Sequence, residues 1–413
     1  MTPRLVELWP IAQLRPHPSN PRAHSELQIA QLAQSIQKFG FTFQILADEE
    51  GNILAGVGRW LAANLLRLEH VPVSVIAGLT EAEKRIYIVA DNQLALNSTW
   101  DERKLQVLIA GLEEELQNLD LTGLRPQEID RILADLAAEQ QTWVDEDQIP
   151  EPTSSIAVEG DLWILGRHRL LCGDCRFPES YECVLEGAPA DMIFTDPPYN
   201  VNYAPRRRTG PVRIINDNLG AGFGQFLRSV CEQMLAVTRG AVYICMASAE
   251  LHTLHESFTS AGGHWSTFII WAKDRFTLGR SDLQRQYEPI LYGWKEGQDH
   301  YWCGARDEGD VWHVPKPKQN RLHPTAKPVC LVERAIRNSS QRGGLVLDPF
   351  GGSGSTLIAC EKSGRSAAMI ELEPKYVDVM IQRWEAYTGR EAKLERDGRS
   401  YAAVAHERSL RAA

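Results

Sequence analysis

The spacing of hydrophobic residues changes along the chain. Near the N-terminus, apolar residues recur at helical spacing from Leu27 to Phe39 and again from Arg59 to Leu66. Between these helices, two short apolar runs flank a predicted hairpin turn at Glu50-Gly51-Asn52. These elements predict a small α+β domain over residues 1–79.

A helical segment and a linker are predicted next. Helical spacing continues over residues 80–142, with candidate N-caps at Thr80 and Ser98. The following stretch, residues 143–158, is acidic and contains two prolines, so we expect a linker without a core of its own.

From residue 159 to 389 the pattern becomes one of apolar strands alternating with helices. The predicted strands lie in RHRLLCGD, ADMIFTDPPY, GAVYICMA, HWSTFIIWAKD, YEPILYGW, GGLVLDPF and RSAAMIELE. Such alternation is typical of an α/β domain whose largely parallel sheet is covered on both faces, with ligands at the carboxyl ends of the strands. Residues 390–413 are charged and alanine-rich, and the pattern assigns them no element.

Composition narrows the class of protein. At 413 residues the chain exceeds one hydrophobic core, and an apolar run long enough to span a membrane is absent from the sequence, which predicts a cytoplasmic protein of several domains. The eight cysteines are scattered. The close group Cys172, Cys175 and Cys183 lacks a second pair at zinc-ligand spacing, so we expect reduced thiols and no metal site.

Basic residues are confined to two stretches. The net charge of −10 argues against a surface that coats nucleic acid throughout, so any contact with DNA must be local. Residues 201–215 contain no acid and should form an exposed loop, and residues 312–342 carry seven Lys or Arg against one Glu. Either stretch is a solvated basic surface or a nucleic-acid contact. The candidate DNA-binding residues are Arg206, Arg207, Arg208, Arg213, Lys316, Lys318 and Arg321.

A glycine-rich turn marks a candidate cofactor site. In LVLDPFGGSGST, residues 345–356, an apolar strand ends at Asp348 and a Gly-Gly-Ser-Gly turn leads into a helix. The next strand ends at Glu371, where a carboxylate can accept both hydroxyls of a ribose. The glycines are not followed by Lys-Ser/Thr, so a phosphate-cradling loop is disfavoured. An adenosine-type cofactor without a pyrophosphate fits better.

The segment Asp196-Pro197-Pro198-Tyr199 also follows an apolar strand and indicates chemistry at an amino group. An exocyclic amine of adenine or cytosine is a poor nucleophile because its lone pair is delocalised into the ring. The Asp196 carboxylate and the Pro197 carbonyl can accept both N–H hydrogens, while the two prolines fix the backbone. Tyr199 offers a ring on which a flipped base can stack.

Together these motifs resemble the amino-methylating DNA methyltransferases. Residues 196–199 match the family's catalytic motif and residues 348–354 its cofactor motif; Gly173-Asp174 and His323-Pro324-Thr325-Ala326-Lys327-Pro328 match further motifs. The catalytic motif precedes the cofactor motif, as in the circularly permuted β-class. The resemblance implies a Rossmann-like S-adenosylmethionine-dependent methyltransferase sheet.

It also implies a role for each matched residue. Asp174 would bind the adenine ring of S-adenosylmethionine and Glu371 its ribose, while Phe350 would lie beside the cofactor. The remaining implied cofactor-binding residues are Thr325, Lys327, Asp348, Gly351, Gly352, Ser353 and Gly354. Ala326 stands where the family usually has Gln, and residues 295–321 form a short target-recognition region.

The N-terminal segment resembles the ParB/sulfiredoxin-like domain. The resemblance rests on Asn20-Pro21-Arg22, on the helix to Phe39-Gly40 and on Gly56-Val57-Gly58-Arg59. Val57 replaces the polar residue that relatives usually carry, which disfavours nucleotide hydrolysis or nuclease action. We expect a role in DNA docking or in organising a dimer.

The resemblance implies site-specific methylation of duplex DNA, in a setting such as restriction–modification. The Asp form of the catalytic motif usually marks adenine N6, with cytosine N4 as the alternative. Methylation of protein glutamine or RNA, and a ParB-like DNA-binding factor with an inactive methyltransferase fold, also stay open. Methylation of cytosine C5 is disfavoured because none of the cysteines follows a proline.

Overall fold

The computed structural model describes residues 5–116, 119–126, 128–133, 146–150, 155–201, 206–207, 210–211, 217–277, 282–303, 308–316 and 326–412. The chain divides into two compact units, Met1–Leu136 and Ala137–Ala413. Within the described residues, no helix is both long and apolar enough to cross a membrane.

The first unit contains a five-stranded sheet with helices. The strand order is β1-β5-β3-β4-β2, and β3 and β4 form the predicted antiparallel hairpin. The strands are β1 (Glu7–Pro10), β2 (Arg15–Pro16), β3 (Ile45–Ala47), β4 (Asn52–Ala55) and β5 (His70–Val75). The helices are α1 (Glu26–Phe39), α2 (Val57–Leu65), α3 (Glu81–Leu96) and α4 (Glu102–Leu116).

Side-chain caps explain where these helices begin. The Ser25 hydroxyl accepts the Gln28 amide before α1, and Thr80 forms a capping box with Glu83 before α3. The predicted cap at Ser98 is wrong. The Asp101 carboxylate accepts the Lys104 amide at 3.1 Å, so the cap lies three residues later, immediately before α4.

The second unit is built on a ten-stranded sheet in the order β14-β12-β13-β11-β8-β15-β16-β7-β6-β17. Its strands are β6 (Leu162–Leu165), β7 (His168–Cys172), β8 (Ala190–Thr195), β11 (Thr238–Cys245), β12 (Gly263–Thr277), β13 (Arg285–Lys295), β14 (Val311–His313), β15 (Leu345–Asp348), β16 (Ser366–Glu371) and β17 (Lys393–Leu394). Adjacent strands β11, β8, β15, β16 and β7 are parallel, whereas β13, β6 and β17 run antiparallel to their neighbours. The sheet is therefore mixed, with the predicted parallel part at its centre.

Helices cover both faces of this sheet, as the alternation predicted. Its helices are α5 (Pro178–Leu185), α6 (Phe223–Val237), α7 (Leu251–Ser260), α8 (Val329–Ser339), α9 (Ser355–Ser363), α10 (Pro374–Thr388) and α11 (Tyr401–Ala412). Along β8, Met192 and Phe194 pack with α8, α9 and α10, while Ile193 packs with α5, α6 and α7. Alternate side chains along a strand therefore pack into two separate hydrophobic cores, one on each face of the sheet.

Three segments gain structure that the sequence did not indicate. Strand β17 extends the sheet, and Tyr401 and Val404 of α11 are buried in its core. Part of the predicted loop at 201–215 forms an antiparallel pair, β9 (Arg206–Arg207) with β10 (Gly210–Pro211). In the predicted linker, the Ile156 and Ala157 amides donate to the Asp378 carboxylate at 2.7 and 2.9 Å.

Candidate functional site

Four neighbouring parallel strands carry acids where they end. Asp196 follows β8, Asp348 ends β15, Glu371 ends β16, and Asp174 lies two residues beyond β7. Because these strands are adjacent and parallel in the order β8-β15-β16-β7, their carboxyl ends share one edge of the sheet. The residues predicted from separate motifs therefore meet at one site.

The glycine turn after β15 is held against α10. Gly352 and Gly354 have φ angles of 52° and 81°, in the left-handed region that favours glycine. A Cβ on Gly351 would lie 2.8 Å from the Met380 side chain, whereas one on Gly352 would meet only the Phe350 carbonyl oxygen, at 3.7 Å. The turn thus packs tightly on one side and leaves space on the side of the cavity.

Asp348 organises this turn from within. Its Oδ1 accepts hydrogen bonds from the Thr195 hydroxyl at 2.7 Å and the Phe350 amide at 3.1 Å, and its Oδ2 accepts the Thr356 hydroxyl at 2.6 Å. Burial raises the pKa of Asp348 to about 7 against these hydrogen bonds. Thr195 immediately precedes Asp196, so its hydrogen bond to Asp348 links the cofactor motif to the catalytic motif.

Glu371 lies under the same turn. Its Oε2 accepts the Gly352 amide and its Oε1 the Glu373 amide, both at 2.8 Å. Burial raises the pKa of Glu371 to about 7 despite these two bonds. Each carboxylate oxygen retains a second lone pair, so the side chain can still accept hydrogen bonds from a ligand.

Asp174 and Phe350 complete this end of the site. The Asp174 carboxylate accepts a hydrogen bond from Arg176 Nη2 at 2.6 Å. Burial opposes ionisation of Asp174, but the bonds from Arg176 outweigh it and hold the pKa below its usual value. The half-buried Phe350 ring packs edge-on against Phe226, with 6.1 Å between ring centroids.

At the other end, Asp196 belongs to a cluster of charged side chains. Asp196 Oδ2 lies 2.6 Å from Lys327 Nζ, and its Oδ1 accepts the Tyr199 hydroxyl at 2.5 Å. Lys327 Nζ also lies 2.8 Å from Glu288 Oε1 and donates to the Tyr199 hydroxyl at 2.9 Å. Glu288 Oε2 in turn accepts Lys273 Nζ at 2.8 Å.

These contacts place the Lys327 ammonium against the catalytic motif. An ammonium has three N–H donors, and oxygens of Asp196, Glu288 and Tyr199 all lie within 2.9 Å of Lys327 Nζ. Lys327 is also buried, with 6% of the whole residue exposed. Lys327 thus contacts the catalytic motif, and its binding of the methionine portion of a cofactor stays a prediction.

Burial and charge move the titrations within this cluster. Burial raises the pKa of Asp196, and the Glu288 carboxylate adds to the increase against Lys327. Burial also acts on Glu288, but Lys327 and Lys273 outweigh it and hold its pKa at about 2. Burial together with both carboxylates raises the pKa of Tyr199 well above its usual value.

The backbone after the catalytic motif is fixed by residues that the sequence patterns did not indicate. The buried Asp217 accepts the Tyr199 amide at 3.0 Å and the Val201 amide at 3.3 Å. Asn200 has a φ of 58°, and its side-chain oxygen accepts the Leu219 amide at 2.9 Å. Asn tolerates the left-handed region, which permits the turn away from β8.

A cavity of about 270 Å³ joins the two ends of the site. Its lining includes the predicted residues Asp174, Asp196, Pro197, Pro198, Tyr199, Lys327, Asp348, Phe350, Gly351, Gly352, Ser353 and Glu371. Gly354 stands at the start of α9, behind the turn. Within the described residues, no cluster of three or more His, Cys, Asp or Glu has the arrangement of a metal site.

Of the predicted DNA-binding residues, the three that the structure describes do not line this cavity. Arg206 and Arg207 form β9, and Lys316 follows β14, where its amide donates to the Asp274 carboxylate at 2.8 Å. Arg208, Arg213, Lys318, Arg321 and the predicted cofactor residue Thr325 lie outside the described residues. Their assignments stay predictions.

Comparison with known proteins identifies both parts of the chain. Residues 190–383 match the N6/N4 family described as DNA methylase, and residues 3–92 match the ParB N-terminal domain. The chain carries an N6/N4 DNA methylase domain behind an N-terminal ParB domain. The methylases of this family depend on S-adenosylmethionine.

Individual relatives cover each domain separately. The ParB domain is 47% identical over 76 residues to the ParB-like nuclease domain-containing protein YnaK of Escherichia coli, covering 18% of this chain and 87% of YnaK. The methylase domain is 27% identical to the type II methyltransferase M.HpaI of Haemophilus parainfluenzae, over 49% of this chain and 70% of that enzyme. It is 25% identical to the DNA adenine methyltransferase YhdJ of E. coli, over 47% of this chain and 75% of YhdJ.

Glu288 and Lys273 are further site residues that the sequence analysis missed. Glu288 lies near the start of β13, an antiparallel strand, while Lys273 lies late in β12. Their approach to the methylase motif depends on the order and direction of the strands, which the sequence pattern did not specify. The sequence signal for Glu288 was an acid just before the apolar run of β13. The signal for Lys273 was a lysine just after the apolar run of β12.

Proposed function

We propose that the methylase domain transfers a methyl group from S-adenosylmethionine to N6 of an adenine flipped out of duplex DNA. The observation that carries this proposal is the single cavity that joins Asp196-Pro197-Pro198-Tyr199 to the glycine turn and Glu371. A cofactor in the turn and a base at Asp196 would then be neighbours, which is what a direct transfer requires.

The groups around the turn suit S-adenosylmethionine. Glu371 has lone pairs left for the ribose hydroxyls, and Asp174 offers a carboxylate for the amino group of the cofactor's adenine. The open side of Gly352 allows a ligand to approach the backbone, and Phe350 supplies an apolar surface. When bound, S-adenosylmethionine supplies a methyl group on a positively charged sulfur.

The catalytic motif then acts on the target base. Asp196 accepts one N–H of the amine and the Pro197 carbonyl accepts the other, so that the nitrogen lone pair becomes available. Tyr199 is anchored through its hydroxyl to Asp196 and Glu288, each at 2.5 Å, which fixes the plane of its ring for stacking against the base.

Adenine is favoured over cytosine by two observations. The motif begins with Asp196, the residue that usually marks adenine methylation in this family. YhdJ, a DNA adenine methyltransferase, is similar to this chain over 75% of its own length. The family itself includes both N6 and N4 enzymes, so the choice of base needs a direct test.

Incubation of the full chain with DNA and labelled S-adenosylmethionine, followed by nucleoside analysis, provides that test. We expect the label in N6-methyladenine, and we expect an Asp196→Ala variant to lose about 10²–10³-fold in rate, as when one fixed polar group is removed from a catalytic site. Asp397→Ala, a change on the exposed surface, serves as the control. Label in N4-methylcytosine alone would contradict the choice of adenine.

A further inference from the structure

The charged cluster around Asp196 extends beyond the residues that the catalytic motif provides. Glu288 bridges two lysines, with Lys327 Nζ 2.8 Å from its Oε1 and Lys273 Nζ 2.8 Å from its Oε2. All three side chains are largely buried, with 15%, 5% and 12% exposure for Glu288, Lys327 and Lys273. A buried pair of this kind is costly unless its partners are well placed, so the geometry constrains each member.

Counting charges shows what Glu288 and Lys273 contribute. Asp196 and Glu288 carry two negative charges, and Lys327 and Lys273 carry two positive charges, so the cluster is neutral when all four are ionised. If Glu288 were uncharged, the attraction of Lys327 would fall on Asp196 alone. Asp196 would then be a weaker acceptor for a substrate proton, because an opposite charge stabilises the carboxylate.

Glu288 also offers the Tyr199 hydroxyl a second acceptor beside Asp196. That hydroxyl lies 2.5 Å from both Asp196 Oδ1 and Glu288 Oε1. Lys273 is itself positioned by the Trp271 ring, with 4.3 Å from Nζ to the ring centroid. The arrangement of the catalytic motif therefore depends on side chains from β12 and β13.

We propose that Glu288, held by Lys273, is a positioning residue for methyl transfer, which anchors Lys327 and Tyr199 so that Asp196 meets the target amine as a fixed proton acceptor. This inference rests on the proposed function. In the step, the amine lone pair forms the new N–C bond and the bond between sulfur and the methyl carbon gives its electron pair to sulfur. The proton from nitrogen passes to an oxygen of Asp196 and then to solvent.

The pKa values of Glu288 and Asp196 are consistent with one acid as a positioning residue and the other as the proton acceptor. The pKa of Glu288 is about 2, because Lys327 and Lys273 outweigh its burial, whereas burial and Glu288 raise the pKa of Asp196. Two acids whose environments separate their pKa values commonly serve different roles. Other titratable groups that act on the cluster include the thiol of Cys245, the carboxyl of Asp348 and the ammonium of Lys316.

The test compares two changes of opposite charge in the full chain. Glu288→Gln leaves the cluster with one excess positive charge, so we expect the acidic limb of the kcat profile to move to lower pH. Lys273→Met leaves one excess negative charge, and the limb should move to higher pH. Both variants should lose kcat, by up to about 100-fold if Asp196 is misplaced, while the Kd for S-adenosylmethionine changes little.

Controls separate positioning from folding. Glu296→Gln removes an exposed carboxylate at the far end of the same hairpin and should leave the profile unchanged. Combining Glu288→Gln with Lys273→Met restores neutrality and should return the limb towards its original pH. Thermal unfolding shows whether each variant is folded.

Three results would overturn the inference: unchanged profiles in both single variants, shifts in the same direction, or losses of kcat that only accompany loss of cofactor binding or of folding. Failure of the proposed function has a different signature. If the unaltered protein methylates cytosine N4, the adenine assignment fails while the comparison of the variants still applies.

Discussion

The Glu371 carboxylate accepts the Gly352 amide at 2.8 Å and so joins the end of β16 to the glycine turn. This bond makes one acid both a structural support of the turn and the candidate ligand of a ribose. The side chain is buried, at 9% exposure, and its pKa rises to about 7 for that reason. Glu371 is therefore expected to ionise near neutral pH.

Cofactor affinity should depend on pH through Glu371. The ionised carboxylate accepts hydroxyl hydrogens better than the protonated acid, so the affinity for S-adenosylmethionine should fall as pH drops below about 7. Glu371→Gln should bind more weakly and show a flatter dependence in calorimetric titrations between pH 6 and 8. Glu395→Gln, on the exposed surface, is the matched control and should follow the unaltered protein.

The raised pKa of Glu371 affects the stability of the fold in the opposite direction, since acidification should favour folding. A raised pKa in the folded state means that folding is favoured by protonation, so the contribution is complete below the unfolded pKa of 4.5 and is lost as pH rises through about 7. Asp348, with a pKa of about 7, acts in the same direction. Affinity that falls together with the melting temperature on acidification would count against this account.

Replacing Gly354 should destabilise the methylase domain. In Gly354→Ala the residue keeps a φ of 81°, and the new Cβ lies 2.8 Å from Met380 Cγ. We expect a loss of about 1–3 kcal/mol in the free energy of unfolding, together with weaker cofactor binding. Gly222→Ala is the control, since its Cβ would meet nothing within 4 Å. Equal melting temperatures for the two variants would contradict the role of the turn.

Asp147 should support the helix that follows Lys327. Its Oδ1 accepts the amide of Val329, the first residue of α8, at 3.0 Å. Loss of such a cap costs about 1 kcal/mol, so Asp147→Ala should lower the melting temperature and, through Lys327, reduce kcat. Gln148→Ala changes an exposed neighbour and should do neither. An Asp147→Ala variant as stable as the Gln148→Ala variant would show that the contact contributes nothing.

The arginines of β9 should contribute to DNA binding without selecting its sequence. Replacing Arg206 and Arg207 together with Ala should weaken binding to all duplexes and reduce the slope of log Kd against log salt by about 2. Fluorescence anisotropy over a salt series measures both quantities, with Arg396→Ala as the surface control. A loss confined to one DNA sequence would instead indicate base recognition.

The sequence predicted the central strands of the methylase sheet because each is a continuous apolar run that ends at a recognisable motif. It also predicted β13 as a strand, but not the antiparallel direction that brings Glu288 to the catalytic edge. Residues 390–413 were unassigned for a related reason. Their apolar residues are few, and Tyr401 and Val404 are buried only because β17 places them beside the sheet.

Lys327 shows a different limit. Its motif was recognised, but a motif does not specify which of several nearby oxygens an ammonium will contact. The three short contacts to Asp196, Glu288 and Tyr199 follow from the way β8, β13 and the segment before α8 converge. The role of a residue such as Lys327, whose contacts come from separate segments, cannot be assigned from its motif alone.

Contacts of the predicted linker, residues 143–158, restrict where the ParB domain can be replaced by another domain. The Glu146 carbonyl accepts Arg383 Nη2 at 2.6 Å, and Arg383 Nη1 donates to the Ser353 carbonyl of the glycine turn at 2.7 Å. A chimera that replaces the ParB domain and joins the new partner at residue 159 would discard this support, whereas a junction before residue 146 would keep it. In a chimeric protein, residues 146–157 should therefore be kept with the methylase domain and not with the ParB domain.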